Sequence, residues 1–235
     1  MKKIFYLAIC AMVCLVSCEE KELVSLENPT TDNPKTEEPV TEENGHAYVD
    51  LGLSVKWATC NVGASKPEEY GDYFAWGETE PKEYYDWSTY KWYNGDNDNW
   101  TKYCYDSLSG IVDNKTVLDL SDDAARANWG GSWRMPTDAE LTELREQCTW
   151  AWTTQSGVNG YKVTSDKNGK SIFLPAAGNR YESSLYGAGS KGNYWSSSLN
   201  TDFPSFAWYV YFGSYYWSRS ENNRIFGFSV RPVCP

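Results

Sequence analysis

Residues that commonly do chemistry are scarce or badly spaced in this chain. His46 is its one histidine, which removes His-based metal sites, His-based triads and most imidazole acid–base chemistry. Cys60, Cys104, Cys148 and Cys234 form no Cys-x-x-Cys pair, so a zinc centre lacks its usual spacing. Glu78 with Glu80, or Asp138 with Glu140, could supply two carboxylates for glycoside hydrolysis, but no spacing rule favours either pair. Asp138 and Glu140 better suit the positive end of a helix. Gly187-Ala-Gly189 with Gly192 has the composition of a phosphate loop without the Lys-Ser or Lys-Thr that should follow. Asn114-Lys-Thr116 matches a glycosylation acceptor and reads as a turn. Asn94-Gly-Asp-Asn-Asp-Asn-Trp100 offers Asp96 and Asp98 as oxygen ligands for calcium, a pattern that ordinary acidic turns share. Neither an enzyme activity nor a cofactor is expected.

Binding chemistry is better represented. Aromatic residues make up 16% of the chain, with 12 Trp and 18 Tyr, and they crowd the segment from Asn200 to Phe226. Tyr and Phe bring large contact area with only two side-chain torsions to freeze, while Ser, Gly and Asn adapt, which is the composition of antibody paratopes. A ligand-binding face is therefore expected from Phe203, Ser205, Phe206, Tyr209, Tyr211, Gly213, Tyr215, Tyr216, Ser218, Ser220, Asn222, Asn223, Ile225 and Phe226, with Arg219 and Arg224 as polar anchors. Trp195, Trp208, Val210, Phe212 and Trp217 would hold this face from behind. If Tyr209 and Tyr211 both point outward, replacing them by Ala should abolish binding and leave folding nearly intact.

The elements that would position such a face are mostly short strands. Tyr48 to Thr59, Tyr73 to Trp76, Gly160 to Val163, Ser171 to Pro175, Tyr194 to Ser197, Ala207 to Phe212 and Gly227 to Val233 have strand composition. Alternation in Ala207 to Phe212 puts Trp208, Val210 and Phe212 on one face and Tyr209 and Tyr211 on the other. Two helices are expected. Ser121 would cap one over Asp122 to Trp129, stopped by Gly130-Gly131. Thr137 and Glu140 form a capping box opening the other, with Leu141, Leu144, Arg145 and Cys148 on one face. Few helices, many short strands and glycine-rich turns together predict an α+β fold with long loops.

Charge and the chain's early residues set the context. With 21 Lys and Arg against 32 Asp and Glu the net charge is −11, which repels nucleic-acid phosphates and excludes nucleic acid as a partner. Lys2 and Lys3 precede an apolar run from Ile4 to Val16, too short for a bilayer core that needs about 20 helical residues, so it reads as a signal peptide. Residues 18 to 44 are acidic, hold Pro29, Pro34 and Pro39 and carry no aromatic residue, as expected of an extended tether. One domain from 45 to 235 follows. It keeps four cysteines, an even number that permits two disulfides in three connectivities.

Several phrases carry a resemblance. Leu15-Val-Ser-Cys18 resembles the lipobox of bacterial lipoproteins, which implies cleavage before Cys18, a lipid on that cysteine and membrane attachment through it. Glu19-Glu20 is similar to the signal that sends some lipoproteins to the outer face of the outer membrane. Tyr48 to Trp57, Trp129-Gly-Gly-Ser-Trp-Arg-Met-Pro-Thr137, Ser171 to Gly178, Tyr194-Trp-Ser-Ser-Ser198 and Gly227-Phe-Ser-Val-Arg-Pro-Val233 resemble bacterial surface lipoproteins of the "major paralogous domain" type. That resemblance implies a C-type lectin-like fold over residues 46 to 235. The Arg-x-Pro-Thr-x-x-Glu entry and the closing strand are also similar to formylglycine-generating enzymes, whose late reactive cysteines are not matched here, and to variable proteins of diversity-generating retroelements. The last likeness implies that the Asn200 to Phe226 candidates are diversified, since each is a residue that adenine mutagenesis of an asparagine codon can produce.

The expectation is a monomeric, surface-anchored lipoprotein that binds a protein or glycan ligand. A fixed glycan ligand assisted by calcium, or a pilus-associated subunit, are the alternatives. The Glu-Pro-Asn or Gln-Pro-Asp loop and Trp-Asn-Asp of calcium-dependent lectins do not occur in the late region.

Overall fold

The computed structural model describes residues 41–95 and 99–235. Along the chain, β1 (Glu42–Glu43), β2 (His46–Val49), β3 (Lys56–Ala58), β4 (Tyr93–Asn94) and β5 (Asn99–Trp100) precede the helices α1 (Ala124–Trp129) and α2 (Asp138–Glu146). Then come β6 (Cys148–Gln155), β7 (Val158–Ser165), β8 (Ser171–Pro175), β9 (Asn179–Tyr181), β10 (Ser184–Tyr186), β11 (Lys191–Leu199), β12 (Phe206–Gly213), β13 (Tyr216–Asn223) and β14 (Val233–Cys234). They form five antiparallel sheets, ordered β1-β2-β3-β14, β4-β5, β6-β7-β8, β9-β10 and β11-β12-β13.

Of the described residues 40% are in strands and bridges and 11% are helical, which corrects the expected α+β, C-type lectin-like fold to a β-rich one. The reason is local. Stretches with loop-like composition pair as strands: β6 lies along β7 from Cys148↔Ser165 to Gln155↔Val158, and β13 lies along β12 from Tyr216↔Gly213 to Asn223↔Phe206. The expected strand Tyr48 to Thr59 breaks into β2 and β3, and β1 pairs Glu42 and Glu43 with Ala47 and His46, so folded structure reaches upstream of Gly45.

Helix α2 starts where its sequence says it should. Thr137 Oγ1 accepts from the Glu140 amide at 3.3 Å, and Glu140 Oε2 accepts from the Thr137 amide at 2.7 Å, a complete capping box. Arg134 grips the same carboxylate with two nitrogens at 2.7 and 2.5 Å, which gives the Arg-Met-Pro-Thr-x-x-Glu phrase a structural meaning. Cys148 does not continue the helix; it opens β6, and Arg145 is exposed, so only Leu141 and Leu144 form the buried stripe. In α1 the cap is Asp123, whose side chain accepts from the Arg126 and Met135 amides, while Ser121 falls in a preceding 3-10 turn.

Burial works against an ionised Glu140, but the Arg134 hydrogen bonds and the Thr137 amide outweigh it and hold the carboxyl below its ordinary 4.5. A carboxyl depressed in the fold stabilises it fully above the unfolded value and loses that contribution as pH falls through the folded value. Glu140→Gln should therefore cost roughly 1–3 kcal/mol at neutral pH and flatten the acid limb of the stability curve, measured by urea denaturation between pH 7 and pH 3.

The core is laid down in three aromatic-rich clusters. Trp76, Trp133, Trp195, Tyr209 and Phe228 anchor the first; Trp57, Leu144, Tyr161, Val210 and Phe212 the second; Tyr85, Tyr90, Trp100 and Ile225 the third. Strand β12 feeds two of them, Tyr209 on one face and Val210 with Phe212 on the other. Gly192 makes the second possible: a Cβ there would stand 2.0 Å from Phe212 Cζ, so the ring lies flat over β11 only because the side chain is missing. Cys60, Cys104, Cys148 and Cys234 are all free thiols, so the permitted disulfides are not formed here. Burial first, then Asp166 and Glu143, push the Cys148 thiol up to about 11, which makes it inert.

Candidate functional site

The β12–β13 hairpin sorts the expected binding residues by face. Tyr209 stands opposite Ser220, Tyr211 opposite Ser218, Ala207 opposite Asn222 and Gly213 opposite Tyr216. Cross-strand partners share a face, so Tyr211, Tyr216, Ser218, Ser220 and Asn222 stand together. Tyr216 is exposed, and its hydroxyl lies 2.6 Å from that of Tyr211, with the Lys191 ammonium 6.0 Å from the Tyr211 ring. Tyr215 forms the turn and is 96% exposed. Phe226, half-buried, lies 5.0 Å from the Tyr181 ring.

The opposite face is spent on structure. Trp217 contacts Trp150 at 5.3 Å and lies under the Arg145 guanidinium at 4.7 Å. Arg219 donates to Asp138 at 2.7 Å and lies 3.4 Å from the centre of the Trp208 ring, so this expected anchor for ligand ties the hairpin to α2 instead.

Four further expectations change on burial. Tyr209 is 7% exposed, packed on Trp195 at 5.7 Å and Phe228 at 4.8 Å, and burial raises its hydroxyl pKa. Tyr209 is a core residue because Trp195 and Phe228 cover its end of the face that it shares with the half-exposed Tyr211. Ile225, 2% exposed, belongs to the third cluster, and Gly213 is buried at the strand end. Arg224 is fully buried 3.9 Å from the centre of the Trp100 ring, donating only to the carbonyls of Lys102 and Tyr103, and burial lowers its pKa.

Phe203, 57% exposed, and Ser205 and Asn223, both half-buried, lie away from the hairpin face beside a cavity of about 390 Å³. Phe206, half-buried, stands 5.9 Å from Phe203. The other cavity walls, Trp87, Tyr93, Trp100 and Ser109, were not singled out in the sequence, although the run Tyr84-Tyr-Asp-Trp-Ser-Thr-Tyr-Lys-Trp-Tyr93 is as aromatic as the C-terminal segment.

Three of the four carboxylates weighed for catalysis have structural duties, and Glu80 is exposed. Glu78 pairs with Lys82 at 2.8 Å and accepts from the Lys91 amide, Asp138 holds Arg219, and Glu140 holds Arg134. Gly187 and Gly189 make a left-handed turn before β11, and Asn114 has a left-handed φ of 54° without lying in a turn. Asp96, Asp98 and Cys18 lie outside the described residues. Among the described residues no group of three or more His, Cys, Asp or Glu could hold a metal ion, and no helix is long and apolar enough to cross a membrane.

Residues 150–233 match a family described as a domain of unknown function (DUF8237). That span takes in β7 to β12, the hairpin face and most of the final segment. No curated protein and no solved structure matches the chain.

Proposed function

We propose that this chain is a surface lipoprotein, anchored through Cys18 to the outer membrane, whose domain presents the β12–β13 hairpin to a macromolecular ligand. One observation carries the reading: Tyr211, Tyr216, Ser218, Ser220 and Asn222 share one face of the hairpin, while the other face is fixed to α2 and β6. Side chains on such a face can change without disturbing the core, and Tyr, Ser and Asn are the residues that make adaptable contacts. The resemblance to retroelement variable proteins supports a diversified face.

Sequencing the DNA for residues 200–226 across many cells of one strain tests this. Substitutions should fall in adenine-derived codons at Tyr211, Tyr216, Ser218, Ser220 and Asn222, spare Tyr209 and Trp208, and lie near a template copy and a reverse transcriptase gene. An invariant segment without a template overturns diversification and leaves the face to a fixed ligand.

A further inference from the structure

Beyond the hairpin face, a second site is built from elements far apart in sequence. Asp86 caps a 3-10 turn, Trp87–Thr89, by accepting from the Thr89 amide, and so holds Trp87 in place. The short β4–β5 hairpin sets Tyr93 directly opposite Trp100. The three rings touch: Trp87 and Trp100 centroids are 5.5 Å apart, Trp87 and Tyr93 5.2 Å, and Tyr93 and Trp100 5.2 Å. Buried Arg224 lies against the Trp100 ring and fixes its plane. Phe203, Pro204 and Ser205 supply further wall, with Ser109 and Asn223.

We infer that this cavity is a binding site for a neutral saccharide. At about 390 Å³ it sits at the small end of ligand pockets, with room for a mono- or disaccharide. Among the described residues its lining has no Lys, Arg, Asp or Glu, so these residues offer a charged ligand no counter-charge for its desolvation. What the lining does hold is aromatic surface next to short polar groups. A pyranose ring matches that combination, with an apolar C–H face to lie on an aromatic ring and hydroxyls around its edge. The Ser205 hydroxyl and the Asn223 carboxamide stand in that lining, and the carboxamide carries two donors and one acceptor suited to those hydroxyls.

Titration calorimetry of the full-length protein with glucose, galactose, mannose, N-acetylglucosamine, cellobiose and lactose tests the site, with glucuronic acid and sialic acid as charged controls. At least one neutral sugar should bind. Trp87→Ala and Phe203→Ala should each weaken it roughly tenfold or more, and Phe203→Ala, on an exposed loop, keeps the test valid if Trp87→Ala fails to fold. Tyr216→Ala should leave sugar affinity unchanged, so the two sites succeed or fail separately. Absence of binding by all six neutral sugars, binding of the charged sugars alone, or binding indifferent to Phe203→Ala would each overturn the assignment.

Discussion

Arg231→Ala is expected to destabilise the fold by about 4 kcal/mol or more, near the top of the range for single substitutions. Arg231 is 1% exposed and has no carboxylate partner among the described residues; its guanidinium donates to Asn61 Oδ1 at 2.9 Å, to the Ala58 and Thr59 carbonyls at 3.0 and 2.7 Å, and to the Phe173 carbonyl at 2.9 Å. One side chain thus ties the end of β3 to the middle of β8. Removing it strands several acceptors away from water, each at a cost of about 1–3 kcal/mol, and leaves a void. Arg231→Met fills the void and removes a buried charge that burial already disfavours, so its loss should be smaller. Arg231→Lys should not rescue, because an ammonium cannot reproduce the planar fork. Urea denaturation of the three variants checks the order, and a loss under about 1 kcal/mol for Ala would mean the four bonds contribute little.

The second large effect separates two tyrosines of the same hairpin: Tyr209→Ala should cost about 3–5 kcal/mol, and Tyr216→Ala should stay within about 0.5 kcal/mol. Tyr209 fills space between Trp195 and Phe228, whereas Tyr216 is exposed and bonded only to the Tyr211 hydroxyl. Ligand binding through the hairpin should respond the other way, lost in Tyr216→Ala when the fold is intact. Equal stability losses in the two variants would contradict this division of the hairpin into a structural and a free face.

What could be read in the sequence depended on whether a feature was local. The Thr137–Glu140 capping box was legible because cap and helix are adjacent, and the alternation in β12 correctly put Tyr209 and Tyr211 on one face. Alternation says nothing of what lies beyond a face, however, and only the packing of Trp195 and Phe228 makes Tyr209 core while Tyr211 is half-exposed. Strand β13 was invisible because Tyr-Trp-Ser-Arg-Ser-Glu-Asn-Asn has an edge strand's polar composition. Strand β6 did carry a signal, Cys148, Trp150 and Trp152 at a spacing of two, but Cys148 also sits four residues after Leu144 and fitted the helical stripe. The cavity was not legible because Trp87 and Trp100 meet the expected binding residues Phe203 and Asn223 only through the fold.

The two phrases that carry the strongest resemblance turn out to be bonded to each other. The Arg134 amide donates to the Val233 carbonyl at 3.0 Å and the Val233 amide to the Arg134 carbonyl at 2.9 Å, so the helix entry and the closing strand are one structural unit.

Strand β14 also completes the sheet begun by β1, β2 and β3, and Lys56 Nζ reaches the Pro235 carbonyl across 179 residues. Sheets closed by such distant segments fold late and slowly, because the loop must be ordered before the pairing rewards it. During synthesis β3 can pair with β2 early, but its other edge gains β14 only when nearly the whole domain has been made.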